Sequence, residues 1–260
     1  MTATIAPDIK SKQQCLSACR NIAHGATFII ASGTSAKNFP LTEFQHVPMI
    51  VVNGGIAMFL ETSIEPYFYM CTDPGFLDQQ ADLLEAAMRL SQRVVLRDDY
   101  ISHDVPLPSG EFYVIKKAAA PKWTEIFSNA PKNLIRRSHY YKSRKSSIGF
   151  SKDLSDGYFD ARTIVYAALQ LAYHAGFDTV FMVGVDLLSE SGRFYETADS
   201  FKSPCYLDQH LTTRIIPSFE LMKEKIIGAD FRVYNLSCAS KLPRYLIPYK
   251  SLDEVRALIG

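Results

Sequence analysis

The side chains best suited to chemistry stand at the ends of apolar runs. Ala26–Ser35 reads ATFIIASGTS, Val47–Gly55 reads VPMIVVNGG and Pro66–Asp78 reads PYFYMCTDPGFLD. The runs close on Gly33, Thr34 and Ser35, on Asn53, and on Asp73. Hydroxyls and backbone N–H groups in such turns suit a phosphate or a ribose; they also build ordinary turns. Asn53 can donate and accept, as nucleoside recognition requires, and it also suits a turn ahead of two glycines. Asp73 is either a turn cap or a site carboxylate. Ser155, Asp156 and Gly157 lead into the strongest helical pattern. Free N–H groups and the positive dipole end there suit an anion, with plain capping as the alternative. His210 follows the RFYE turn that holds Tyr195 and precedes another helical pattern. Histidine titrates near neutrality, at about 6.5, and so suits a general base; a structural role is the alternative.

Cations concentrate between Pro121 and Ser147, where KNLIRRSHYYKSRKSS sets Lys132, Arg136, Arg137, Lys142, Arg144 and Lys145 around Tyr140 and Tyr141. This is either a solvated basic loop or an arm toward an anionic acceptor or membrane surface. Several signatures are missing: the P-loop, the G-x-G-x-x-G fingerprint, the G-x-S-x-G elbow and H-E-x-x-H. Asp-x-Asp is absent too, which favours chemistry without a metal or other cofactor.

Elements that must position these residues follow from hydrophobic pattern. Continuous apolar strands suggest a sheet covered on both faces. Helical spacing runs over Leu77–Ser91 and is followed by the strand RVVLRDD. The clearest helix covers Gly157–Ala175 and is stopped by Gly176. A strand over Thr179–Leu188, a helix over Thr212–Ile227, a strand over Phe231–Ser237 and a final helix capped by Ser251 complete the chain. Strand–helix alternation predicts a Rossmann-like α/β fold, a mainly parallel sheet with helices on both faces and ligands at the carboxyl ends of the strands. The 260 residues fit one domain with a basic segment at 121–148 and a lid near 189–211.

Apolar residues make up 47% and the net charge is +1, so no global field draws in nucleic acid or a membrane. No signal-peptide pattern opens the chain, and no run nears the ~18 apolar residues of a membrane span. Five cysteines without a C-x-x-C pair read as reduced thiols of a cytoplasmic protein.

Taken together, SGTSAKNFPL, VVNGG, YMCTDPGFL, GFSKDLSDGYFDARTIVYAALQLAYHAGFDTVFMVGVDL, RFYE and YNLS resemble segments of the bacterial transferases that add a third 3-deoxy-D-manno-octulosonic acid (Kdo) to the lipopolysaccharide core. Their order also resembles that of a family of bacterial sialyltransferases: a glycine-serine turn, a strand-end Asn, a segment before a helix, a G-x-D strand end and a late His. The resemblance extends from Thr27 to Ile247 and is most specific over Gly149–Leu188. It implies a sialyltransferase-like variant of the Rossmann-like fold with a small lid, a CMP-sugar donor such as CMP-Kdo, and inversion without a metal. It further implies a lipid A–core acceptor and work at the cytoplasmic face of the inner membrane.

Carried over by position, Gly33, Thr34, Ser35 and Asn53 would hold the nucleotide, with Ser155, Asp156, Gly157 and Tyr195 at the donor phosphate. His210 would be the base, with Asp73 as its substitute. Arg136, Arg137, Arg144 and Lys145 would meet the anionic acceptor. Asp73 and Asp156 stand where the sialyltransferases carry neutral residues, and Lys152 and Arg162 are candidates to offset the added charge. A sialyltransferase using CMP-sialic acid and a non-catalytic nucleotide- or sugar-binding protein are the rival functions.

Overall fold

The computed structural model describes residues 9–73, 75–102, 105–121, 132–138, 147–188, 192–196 and 207–260. Arg144 and Lys145 lie outside the described residues.

The strands are β1 (Gln13–Gln14), β2 (Ala26–Ile30), β3 (Met49–Val52), β4 (Phe68–Cys71), β5 (Arg93–Arg97), β6 (Glu111–Ile115), β7 (Leu134–Arg136), β8 (Gly149–Ser151), β9 (Thr179–Val183) and β10 (Arg232–Asn235). The helices are α1 (Gly75–Gln79), α2 (Ala81–Leu90), α3 (Ile164–Ala175), α4 (Leu207–His210), α5 (Ile216–Lys225) and α6 (Leu252–Ile259). Eight strands form one sheet in the order β1-β6-β5-β4-β3-β2-β9-β10. Every pairing in it is parallel. The chain runs outward from β2 to β6, then returns to place β9 on the other side of β2. The gap between the ends of β2 and β9 is therefore the topological switch point, where open α/β sheets bind ligands.

Both faces of the sheet are covered, as the unbroken apolar strands require. Phe28, Ile30, Phe181 and Val183 face one side with Leu84, Ala87 and Met88 of α2 and Val255 of α6. Ile29, Val180 and Met182 face the other with α3 and with Phe219, Leu221 and Met222 of α5. Gly176 adopts a left-handed C-cap, and Ser251 forms a capping box with Glu254, both as the sequence indicates.

Four boundaries differ from the sequence expectation. The helix expected over Leu77–Ser91 breaks at Gln80, whose φ of −144° is not helical. The strand expected to reach Leu188 ends at Val183, because Gly184 turns with φ +72°. The helix expected from Thr212 is entered from Leu207, through a π-helical turn at Leu211–Ile215. Pro217 accounts for that wide turn: it has no N–H to offer the carbonyl four residues back, and its ring crowds that carbonyl. Ile216 N–H instead reaches the Leu211 carbonyl.

The fourth difference is the largest. The helix expected from Gly157 begins at Ile164. Gly157 has φ +100°, and a Cβ there would lie 2.7 Å from the Ala118 Cα. Arg162 has φ +65°, a left-handed conformation that no L-residue helix contains. Ser155, Asp156 and Gly157 accordingly lie in and just after a 3-10 turn, Leu154–Asp156, and not at the N-terminus of α3.

What replaces the missing helical turns is a set of bonds from α3 itself. Tyr166, Gln170 and His174 recur every fourth residue and are buried, so they form one stripe on the helix. The Tyr166 hydroxyl lies 3.0 Å from the Gly149 carbonyl and 2.9 Å from that of Ser218, sharing its proton between them. Gln170 Oε1 accepts from the N–H groups of Ser151 at 3.0 Å and Phe159 at 2.9 Å. Its Nε2 donates to the carbonyls of Phe159 and Tyr166, each at 3.0 Å. His174 Nδ1 accepts from Leu154 N–H at 3.2 Å, which leaves Nε2–H to donate to the Leu16 carbonyl at 2.9 Å. The ring is held neutral: burial lowers its pKa, outweighing the Leu16 bond and Asp153, which raise it. The stripe thus anchors residues 149–159, including strand β8 of the two-stranded antiparallel ribbon β7–β8, to α3.

Gln170→Leu keeps the volume and removes all four bonds. Each buried group left unpaired costs about 1–3 kcal/mol, so the substitution should lower stability by at least ~3 kcal/mol. Urea unfolding of parent and variant measures this. A difference under ~1 kcal/mol would show that the clamp is dispensable.

Candidate functional site

Because all eight strands run in parallel, the segments after β2, β3, β4, β5, β6, β9 and β10 emerge on one edge. Gly33, Thr34 and Ser35 follow β2 at the switch point. A Cβ at Gly33 would overlap the Gly184 carbonyl oxygen and approach the Asp186 carboxylate, so the two turns touch only because Gly33 has no side chain. Asp186, buried, accepts from Ser35 N–H at 3.0 Å, from the Ser35 hydroxyl, and from the Thr34 hydroxyl at 3.3 Å. Ser35 Oγ lies 2.7 Å from Ser237 Oγ, which also accepts from Val185 N–H at 3.0 Å. The hydroxyl turn after β2 is thereby fixed to the turns after β9 and β10. The sequence shows Asp186 in a G-x-D strand end, but its grip on Thr34 and Ser35 emerges only in three dimensions.

Asn53 follows β3 with φ +44°, and its Oδ1 is buried without a hydrogen-bond partner among the described residues. Residues 192–196 cross this edge as a strap. Phe194 N–H donates to the Ser32 carbonyl at 3.1 Å, and Arg193 is bridged to Gly33. Arg193 and Glu196 form an ion pair at 3.0 Å that closes the strap on itself. The Tyr195 ring lies on Gly54, where any Cβ would overlap it, and burial raises the pKa of its hydroxyl. The structure therefore gathers Gly33, Thr34, Ser35, Asn53 and Tyr195 into one patch.

Asp73 stands at the end of the strand next to that of Asn53. It is exposed after β4, and its Oδ1 accepts from Gly75 N–H at 3.1 Å, a turn that opens α1. Its carbonyl accepts from the Tyr100 hydroxyl. Ser155 and Asp156 are exposed, and Asp156 accepts from Asn133 Nδ2 at 3.0 Å. Lys152 lies over the Tyr173 ring, 6.0 Å from its centroid, rather than beside Asp156.

Past the end of β6 the edge opens into a cavity of about 920 Å³. Lys117, Arg136, Arg137, Arg162, Arg214 and His210 line it, and Asp160 is the one lining carboxylate among the described residues. This cavity unites His210 with Arg136 and Arg137. Asp160 is bound by Lys117 at 2.7 Å and accepts from Arg162 N–H at 2.9 Å. Burial raises its pKa, but these bonds and both cations more than offset that, and the carboxyl stays below its ordinary value. It is held ionised and is unsuited to take up a proton. The π-helical turn sets Arg214 one turn beyond His210 toward the same space; π-turns of this kind recur at functional sites. Sequence reasoning missed Arg214 and Lys117, although Pro217 marks the irregular turn. The patch and the cavity are connected: Lys241 bonds the Asp186 carbonyl through its N–H at 2.9 Å and pairs with Asp208 of α4 at 2.6 Å.

Fold and site together define an α/β protein with a polar turn and a cationic cavity along the carboxyl edge of a parallel sheet, equipped for an anionic ligand. The family described as "3-deoxy-D-manno-octulosonic acid transferase WaaZ" matches residues 10–253, and the chain belongs to that family. It is accordingly a glycosyltransferase. Two curated relatives carry the name "Probable 3-deoxy-manno-octulosonic acid transferase". The one from Salmonella typhimurium strain LT2 is 27% identical over 245 residues, covering 87% of each chain. The one from Escherichia coli strain K12 is 27% identical over 246 residues, covering 88% of this chain and 83% of its own. Among solved structures, the MAf glycosyltransferase from Magnetospirillum magneticum AMB-1 aligns over 97% of this chain at 12% identity, with a TM-score of 0.48. This chain spans 41% of that protein. Among the described residues no helix is long and apolar enough to cross a membrane.

Gly54→Ala should push the Tyr195 ring off the edge, at an overpacking cost of about 1–3 kcal/mol, and loosen the strap. Trypsin should then cut after Arg193 faster than in the parent. In a Tyr195→Ala background the same change should add nothing. Equal cleavage rates in parent and Gly54→Ala would mean that the ring does not pin the strap.

Proposed function

We propose that the protein transfers Kdo from CMP-Kdo to a Kdo residue of the lipopolysaccharide inner core, with inversion and without a metal. The observation that carries this is the cationic cavity holding His210, on the same sheet edge as the Ser35–Asp186 turn. Family membership names the sugar class. The donor nucleotide would occupy the patch of Gly33, Thr34, Ser35 and Asn53 under the Tyr195 strap. The orphaned Asn53 Oδ1 would gain a donor from the nucleotide, relieving an uncompensated buried acceptor.

The acceptor, an anionic sugar on a lipid, would lie in the cavity against Arg136 and Arg137, with Arg144 and Lys145 near it in sequence. His210, whose imidazole makes no hydrogen bond among the described residues, would remove the proton from the acceptor hydroxyl. The hydroxyl oxygen would attack the anomeric carbon as the bond to the phosphate breaks, and CMP would leave with the electron pair. The surrounding cations would stabilise the charge that develops. Ser155, Asp156 and Gly157 have no helix N-terminus behind them, so that stabilisation falls to the side chains. A lipid acceptor would place the work at the cytoplasmic face of the inner membrane, with peripheral contact.

Two measurements test this. Thermal unfolding with CMP, UMP, GDP and ATP, with magnesium and with chelator, should show a shift for CMP alone that magnesium does not alter. A ligand at ~100 times its Kd stabilises by about 2.7 kcal/mol. A response confined to another nucleotide, or one abolished by chelator, would refute the donor assignment. His210→Ala should lower transfer by at least ~100-fold with CMP binding intact. Near-parental turnover would remove His210 from the mechanism, and CMP binding without transfer or donor hydrolysis in the parent would favour a non-catalytic binder.

A further inference from the structure

We propose that Arg162 and Arg214 form an anion clamp that recognises the carboxylate of the sugar in the cavity, and that this pair sets the preference for acidic sugars. The proposal deepens the acceptor assignment above and rests on the glycosyltransferase reading.

The cations of the cavity are not equivalent. Lys117 is neutralised by Asp160 at 2.7 Å, and Arg137 is paired with Glu220 at 3.2 Å. Arg136 lies over the Phe159 ring, 4.9 Å from its centroid, and donates to the Ala119 carbonyl at 2.5 Å. Arg214 is ordered by neutral oxygens. It donates to the Ser147 hydroxyl, to the Ser147 carbonyl at 3.3 Å and to the Asp160 carbonyl at 2.7 Å. Its Nε is buried without a hydrogen-bond partner among the described residues. The group is therefore fixed in place without an ion-pair partner among the described residues. Burial lowers its pKa; Asp160 opposes that and Arg162 adds to it. Arg162 lines the same cavity and adds to the positive field at Arg214.

Arg162 is exposed, and its side chain has no hydrogen bond or ion pair among the described residues. Its backbone is held left-handed, with φ +65°, by the bond from its N–H to Asp160 Oδ1 at 2.9 Å. A bulky residue in that region stores strain. A helical Arg162 would lengthen α3 and carry its side chain around the helix. The observed turn keeps it on the rim of the cavity instead. Both arginines line the cavity with Asp160, the half-buried Arg214 held by neutral oxygens and Arg162 on a strained turn, and an anion bound there would relieve their mutual repulsion. The Arg162 guanidinium, with no hydrogen bond or ion pair among the described residues, can present its planar fork to a carboxylate, and Arg214 adds the one Nη1 N–H left over from Ser147. The sugar named by the family is an acid.

The test uses the full chain and binding alone. Calorimetric titration compares free Kdo, its methyl ester and inorganic phosphate against the parent, Arg162→Gln and Arg214→Lys, with the CMP response followed in each. In the parent the acid should bind at least ~10-fold tighter than the ester, the range of one charge-assisted bond. Arg162→Gln, at an exposed position, should fold, respond to CMP and lose that preference. Arg214→Lys, which keeps the charge and loses the bonds to Ser147 and Asp160 that fix it, should lose most of it. Equal binding of acid and ester by the parent, or no binding of either, would overturn the clamp. So would a preference preserved in either variant, or phosphate competing as well as the acid. An acid preference that depends on Arg162 beside an absent CMP response would support the clamp while sinking the donor assignment.

Discussion

The buried polar stripe of α3 is the constraint on which the cavity depends. A helix enclosed on all sides is expected to be apolar, yet Tyr166, Gln170 and His174 interrupt it at one-turn intervals. They are tolerated because each finds backbone partners in residues 149–159 or the neighbouring Leu16 and Ser218. That segment is mostly irregular and could not satisfy its own N–H and carbonyl groups beneath the surface. The helix acts as a surrogate strand for it. Tyr158, Phe159 and Asp160, which wall the cavity, take their positions from this arrangement, and the orientation of Lys117 and Arg162 follows from Asp160.

Charge is distributed with the same economy. A net charge of +1 over 260 residues gives the protein almost no monopole. The cavity concentrates Lys117, Arg136, Arg137, Arg162 and Arg214 against Asp160, so the field is local and steep. In a concave site with low-dielectric walls such a field is focused on the entering anion and little screened by salt. The switch point beside it has the opposite character. Asp186 takes up the hydroxyl protons of Thr34 and Ser35 and the Ser35 N–H, so the turn presents hydroxyl oxygens in place of cations. One edge thus offers two chemically distinct compartments.

Much of this was legible in the sequence. The apolar runs ending at Ser35, Asn53 and Asp73 located the carboxyl edge, because a parallel strand buried on both faces leaves no ambiguity of pattern. The stop at Gly176 and the cap at Ser251 were legible because one residue type dominates each role. The start of α3 was not: Asp160-Ala161-Arg162 contains no glycine to announce a left-handed turn, and apolar spacing continues through it. Arg214 was hidden for a related reason, since a cation in a helical pattern reads as solvent-facing until the wide turn before Pro217 rotates it. The seating of the strap on Gly54 depends on contacts between distant segments that spacing does not encode.

The Ser35–Asp186–Ser237 network has a consequence for how the chain comes to be folded. Ser35 and Ser237 are 202 positions apart, and β2 must wait for β9 to be paired on that side. Contacts of such separation carry a large loop-closure cost and form late. During synthesis β2 through β6 emerge first, with one flank of β2 unpaired and the hydroxyl turn unsupported. The switch point comes into being only when the chain through Ser237 has left the ribosome, so a translation product interrupted before it would carry a sheet fragment with an open edge and an unfinished turn network.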